Sequence, residues 1–293
     1  MLGSSRVSFV ECPRDAWQGL EHNLPTQEKL DYLKALLAAG FTRLDAGSFV
    51  SKRAVPQMAD TEEVLAGLHV PDGVDLLCIV VNEMGVERAV ATGAVTSVGY
   101  PLSVNDTFQR RNVGRTVAQS WPLVAQLQAL CERSGLGFVV YLSMAFGNPY
   151  REPWVPRMTV EAVQRLRDMG ITRISLADTT GSGNAERVAR VLGGLTDNSS
   201  LGLHLHARPD SWQAPLEVAV AHGVRWFEGA FAGVGGCPFA DDSLVGNLPT
   251  EAVLPWLSQR GIESGIDLEA LPALAERARA IALRYAGDVL RSQ

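Results

Sequence analysis

A short β-rich run followed by a helical pattern recurs eight times along the 293 residues of this chain. "RVSFVEC" precedes "TQEKLDYLKALLAAG", "FTRLDAGSF" precedes "DTEEVLAGLH", and the same order holds through "VDLLCIVV", "VTSVGYPLS", "GFVVYLSMAF", "ITRISLAD", "LGLHLHA" and "VRWFEGAF", each with its own helical partner. Alternation of this kind implies an α/β protein with a parallel sheet. Eight units imply a sheet closed on itself, a (β/α)8 TIM barrel. Gly40, Gly135, Gly170 and Gly223 stand just before strands and suit helix C-terminal caps in the left-handed conformation. Thr26 with Lys29 suggests an N-cap. The tail "LEALPALAERARAIALRYAG" reads as one additional C-terminal helix, about 267–287, outside a barrel of about 6–262, all in a single catalytic domain spanning 1–293. A doubly wound open sheet is the structural alternative, but no glycine-rich phosphate loop follows the first strand.

Bulk properties narrow the function. Hydrophobic residues make up 46% and charged residues 20%, a globular balance, and the net charge of −6 disfavours nucleic acid or a membrane surface as partners. The four cysteines, Cys12, Cys78, Cys131 and Cys237, are scattered without CxxC spacing, which suits free thiols in a reducing compartment. No signal-peptide pattern opens the chain, and no apolar run approaches the ~18–20 residues of a membrane helix, so a cytoplasmic protein is expected.

In a barrel of this type the chemistry gathers where the C-terminal strand ends feed the loops. The first strand ends in "ECPRDAWQ", with Arg14 and Asp15; the second ends near Asp45; the sixth ends at Asp178. The seventh carries His204 and His206, two of only five histidines in the chain. Spaced i and i+2 on a strand, their imidazoles share a face. Each ring has a nitrogen that needs a partner, and a metal ion would take both. After the eighth strand comes "GVGGCPFADDSLVGN", with Cys237 and Asn247. Closure brings strands seven, eight and one together, so Asp15, His204, His206 and Asn247 can meet at one sector of the mouth. This mixed oxygen and nitrogen set suits Mg²⁺ or Mn²⁺, with Zn²⁺ or Co²⁺ also admitted. Taken singly, each piece has a plainer reading. Asp15 also suits a helix N-cap and Asn247 a turn, Arg14 a pairing with Asp45 or Asp178, and Cys237 an inert thiol.

With these residues in view, the chain resembles the 3-hydroxy-3-methylglutaryl-CoA lyase family of metal-dependent TIM-barrel lyases and synthases. The segments "VECPRDAWQ", "SFVSKRAVPQM", "ISLADTTG", "LHLHARPD" and "GVGGCPFADDSLVGNLPTE" carry the resemblance, which covers roughly Val7 to Gly261. The resemblance implies Asp15, His204, His206 and Asn247 as metal ligands and Arg14 as the stabiliser of a developing oxyanion. It makes Cys237 a thiol on a loop over the mouth that takes part in proton transfer, and Asp178 an acid/base or positioning group. Asp45 replaces the family's usual Glu and would stand with Arg14 on the substrate side. Further departures surround these positions. The usual "RDGLQNE" reads "RDAWQGL", setting Trp17 and Gly19 beside the expected metal; "ARPDSWQA" lacks the usual His-Asp; and Asn148 replaces a Cys.

The implied reaction is a retro-Claisen cleavage of 3-hydroxy-3-methylglutaryl-CoA to acetoacetate and acetyl-CoA, with an acyl-CoA as the partner, leucine breakdown as the setting and a homodimer as the assembly. Arg110 and Arg111 suit CoA phosphates or a solvated turn equally well. Two readings compete within the superfamily: the same chemistry on a different branched 3-hydroxyacyl-CoA, and a Claisen-type synthase or ketoacid aldolase. A non-catalytic barrel that binds CoA or metal is the reading from outside it.

Overall fold

The computed structural model describes residues 5–208, 210–235 and 245–286. Eight strands form the barrel: β1 (Ser8–Glu11), β2 (Arg43–Ser48), β3 (Asp75–Ile79), β4 (Ser97–Ser103), β5 (Gly137–Ser143), β6 (Ile174–Asp178), β7 (Leu201–Ala207) and β8 (Trp226–Gly229). Each pairs in parallel with the next in order, and β8 closes on β1 through Val10 opposite Glu228. The closed parallel barrel is the architecture that the eightfold alternation implies.

Strand parity decides what each residue does. Phe9, Leu44, Leu176, Leu203, Leu205 and Phe227 point outward into the main core, the apolar layer under the helices. The opposite parity fills the barrel itself, where Val10, Cys12, Leu77, Ile79, Val139, Tyr141 and Trp226 form a smaller cluster. Above that cluster, at the C-terminal strand ends, the interior turns polar.

The outer helices are α1 (Pro13–Gln18), α2 (Thr26–Ala38), α3 (Thr61–Ala66), α4 (Glu83–Thr92), α5 (Asp106–Val113), α6 (Val117–Ser134), α7 (Pro156–Asp168), α8 (Ala185–Gly193), α9 (Gln213–Ala221), α10 (Thr250–Ser258) and α11 (Leu271–Tyr285). All four glycines expected after helices have positive φ. Helix α6 shows why its ends are sharp: Thr116 and Gln119 form a reciprocal capping box, and Gly135 closes the helix in the left-handed region at φ 70°. Thr26 departs from expectation. It is the first helical residue, not the cap, because its hydroxyl donates to Asp60 at 2.7 Å. Helix α11 is the expected C-terminal helix; it buries Leu271, Leu274, Ala275 and Ile281 and packs beside α10.

Candidate active site

Helix α1 crosses the mouth directly after β1. Pro13 starts it, as suits a residue with fixed φ and no amide hydrogen to satisfy. Arg14, Asp15 and Gln18 line the central pocket at the C-terminal strand ends. Trp17 lies on the other face of α1, buried edge-on to Tyr32 with ring centroids 5.7 Å apart. It does not line the pocket, so the expectation that Trp17 stands beside the metal is corrected: helical spacing turns it into the core. Gly19 is likewise absent from the pocket wall.

His204 and His206 point into the same pocket, as their spacing implies. Both are buried, and their Nε2 atoms face each other at 3.1 Å. Asp15 Oδ2 lies 3.9 Å from His204 Nε2 and 3.8 Å from His206 Nε2. Asn247 arrives on a short strand, Gly246–Asn247, that pairs antiparallel with Ala207 and His206 at the end of β7. Its Nδ2 donates to Asp15 Oδ2 at 2.9 Å and to the Val234 carbonyl at 3.0 Å.

Two buried atoms in this group have no hydrogen-bond partner among the described residues, Asn247 Oδ1 and His206 Nδ1. Buried polar atoms rarely go unpaired, and an amide oxygen beside a carboxylate and two imidazoles is a donor set that a cation would complete. Two ligands at right angles, each ~2.1 Å from an octahedral ion, stand ~3.0 Å apart, close to the 3.1 Å between the two Nε2 atoms. Asp15, His204 and His206 thus form a candidate metal site, and the residues present fit a divalent ion.

The electrostatics agree. Burial, the largest single influence, would push the Asp15 carboxyl up, but Arg14, His204, His206 and the Asn247 hydrogen bond together outweigh it and hold it at about 2, ionised as a ligand must be. Burial, followed by the neighbouring His204, pushes His206 down to about 4, which keeps its ring neutral.

Arg14 is the only arginine or lysine among the described residues lining the pocket. Its Nε donates to both Asp45 oxygens at 3.0–3.1 Å, and its Nη1 donates to Asp15 at 3.1 Å and to Gln18 at 2.9 Å. Of the two carboxylates that sequence offered as partners, Asp45 holds it. Burial raises the Asp45 carboxyl, and Arg14 only partly offsets that.

Asp178 is not brought to the pocket wall, although its neighbours Ala177 and Thr179 are. Its carboxylate accepts from the Ser182 amide at 2.9 Å and the Gly183 amide at 2.8 Å, closing the corner after β6. Parity explains this, since Asp178 shares the outward face of β6 with Ile174 and Leu176. Burial pushes its pKa up to about 7, despite the amides that lower it. Asn148 is also structural: its Oδ1 accepts from the Tyr150 and Glu152 amides. Arg110 pairs with Asp106 one helical turn away, and the Arg111 guanidinium stacks 4.9 Å from the Tyr150 ring. Cys237 lies outside the described residues.

One residue of the site escaped the motifs. Glu228, on the inner face of β8, is fully buried with Oε2 3.0 Å from His204 Nδ1. The signal was available: an acid inside the apolar run "VRWFEGAF", on the strand next to the histidine strand.

The family model described as HMGL-like matches residues 7–277. This chain belongs to the HMGL-like family. Among its relatives, the hydroxymethylglutaryl-CoA lyase of Pseudomonas mevalonii is 31% identical, the alignment covering 92% of this chain and 90% of that protein. The (R)-citramalyl-CoA lyase of Chloroflexus aurantiacus is 33% identical, over 92% and 89% respectively. Among solved structures, the HMG-CoA lyase of Acinetobacter baumannii in complex with coenzyme A and 3-methylmalate superposes with a TM-score of 0.90 at 30% identity, over 99% of this chain and 96% of that one. The HMG-CoA lyase of Brucella melitensis gives 0.89 at 31%, over 95% and 99%. Membership and site together make this chain a carbon–carbon lyase, in a family generally dependent on a divalent metal.

Proposed function

We propose that this chain cleaves 3-hydroxy-3-methylglutaryl-CoA to acetoacetate and acetyl-CoA by a retro-Claisen reaction dependent on Mg²⁺ or Mn²⁺. The observation that carries the proposal is the convergence of Asp15, His204, His206 and Asn247 Oδ1, unpartnered among the described residues, beside Arg14 at the mouth of an HMGL-like barrel. Asp15, His204, His206 and Asn247 would hold the ion, which when bound supplies the Lewis acidity that lowers the pKa of a substrate hydroxyl.

The chain's own residues supply the rest. Cleavage moves an electron pair from the breaking C–C bond onto the thioester carbonyl, and Arg14 is the cation placed to stabilise that oxygen. Burial disfavours the Arg14 charge, but Asp45 and Asp15 more than compensate, so it stays protonated throughout. Val50, Val55, Ile79, Val81 and Phe108 give the pocket an apolar wall beside the polar cluster. Asp178 acts as a positioning residue, shaping the corner that brings Thr179 to the pocket. The proton-transfer role of Cys237 rests on its sequence context.

A second reading is the same cleavage on another branched 3-hydroxyacyl-CoA, favoured by the 33% identity to the citramalyl-CoA lyase. A homodimer and a place in leucine breakdown rest on the resemblance alone. The cytoplasm suits the free, buried Cys12, Cys78 and Cys131 thiols; no helix among the described residues is long and apolar enough to cross a membrane.

The test is acetoacetate release from 3-hydroxy-3-methylglutaryl-CoA by chelator-treated protein, with and without Mg²⁺ or Mn²⁺. Metal-dependent release supports the proposal. Silence with metal bound, together with pyruvate release from citramalyl-CoA, transfers it to the second reading.

A further inference from the structure

The register of the barrel sets Glu228 between Val10 of β1 and His204 of β7, in the floor beneath the candidate metal site. Three side chains converge on its carboxylate. Ser175 Oγ donates to Oε1 at 2.8 Å, Oε2 lies 3.0 Å from His204 Nδ1, and the Cys12 thiol lies 3.9 Å from Oε2. Each can donate, and the two carboxylate oxygens are the acceptors these donors share. The His204 proton therefore sits on Nδ1, and its Nε2 presents a lone pair toward His206 and Asp15.

The same side chain is buried deep in the barrel. It has no exposure to solvent, and its one ion-pair partner among the described residues is His204 itself. Buried charges are paired or coordinate metals. A cation on the far nitrogen of His204 reaches this pair through the ring. Among the described residues His206 has no comparable support, since no partner for its buried Nδ1 is found there. The two histidines look alike in sequence but differ in how they are held.

The geometry points to Glu228 as the positioning residue that fixes the His204 tautomer and thereby presets the metal site. The inference rests on the metal-site reading above and adds a residue which none of the chain's motifs contains. Outer carboxylates that orient a ligating histidine typically change metal affinity about 10- to 100-fold when replaced.

The experiment uses the full chain, stripped of metal, with two readouts. Nitrogen-15 NMR of labelled histidine reads the tautomer, and titration with Mn²⁺ followed by electron paramagnetic resonance reads affinity. Expected are an Nδ1-protonated His204 in the parent and Mn²⁺ affinity about 10- to 100-fold weaker in a folded Glu228→Gln variant. An Nε2-protonated His204, or a folded variant that binds Mn²⁺ within twofold of the parent, overturns the proposal. If Glu228→Gln does not fold, Ser175→Ala releases the carboxylate without touching the ring. A several-fold loss of affinity then supports the proposal and unchanged affinity overturns it. A parent chain that takes up no Mn²⁺ overturns the metal-site reading as well, which separates the two failures.

Discussion

Strands β2 and β6 carry one aspartate each, equally buried and equally suggestive in sequence, and the fold uses them in opposite ways. Asp45 points into the barrel and holds the Arg14 guanidinium. Asp178 points out of the barrel and binds two amides of its own loop. Both are 1% exposed and both are raised by burial, so neither burial nor pKa separates them. Geometry does. A perturbed carboxyl marks a functional site only when its oxygens face the chemistry, and strand parity decides which way they face.

The largest test of this contrast is Arg14→Gln, which removes the cation that Asp45 serves. Turnover should fall about 10²- to 10³-fold, read as kcat in the acetoacetate assay. A loss under tenfold would detach β2 from catalysis. Next, Asp45→Ala leaves a buried guanidinium short of its main partner. Breaking such a pair costs about 3–5 kcal/mol, here nearer the lower figure because Asp15 and Gln18 still accept from Arg14; urea unfolding measures it.

Asp178→Asn should cost less than about tenfold in kcat, well below the Arg14 effect on the scale of a lost electrostatic stabiliser. A loss as large as that of Arg14→Gln would erase the distinction between the two strands. The variant should also change how stability depends on pH. Asp178 titrates at about 7 in the fold against an ordinary 3.8. Between these values the native state holds a proton that the unfolded chain has lost, so stability falls as pH rises through that window. Glu11, buried and raised to about 8, contributes in the same direction. Melting temperature should therefore decline from pH 4 to pH 8, less steeply in Asp178→Asn and in Glu11→Gln; a slope unchanged in both removes the argument. The smallest effect is expected of Trp17→Phe. It should lower stability by about 1–3 kcal/mol through lost packing and leave the preference among acyl chain lengths unchanged.

Much of this was legible in sequence, for reasons that can be named. The eight strands repeat a local pattern, and local patterns are written in consecutive residues. His204 and His206 share a face because strand spacing requires it, and Asp15 reached them because closure makes the first and last strands neighbours. Trp17 departs from its expected place because nearness to Asp15 along the chain is not nearness to the pocket: a helix turns adjacent residues to different faces. Asp178 could have been placed correctly from the alternation in "ISLAD", where it shares parity with Ile174 and Leu176. The partner of Arg14, with Asp45 and Asp178 both on offer, was beyond sequence, since it depends on which carboxylate faces across the mouth.

The amino-acid sequence by itself determined the barrel and the end of it that carries chemistry, and it offered the donor set of the candidate metal site, because these follow from periodicity and from residue type. Tertiary structure alone decided that Glu228 sits behind His204, that Asp45 holds Arg14, and that Asn247 donates to Asp15. Those are contacts between residues 24, 31 and 232 positions apart, and at such separations only the register of a closed barrel fixes who meets whom.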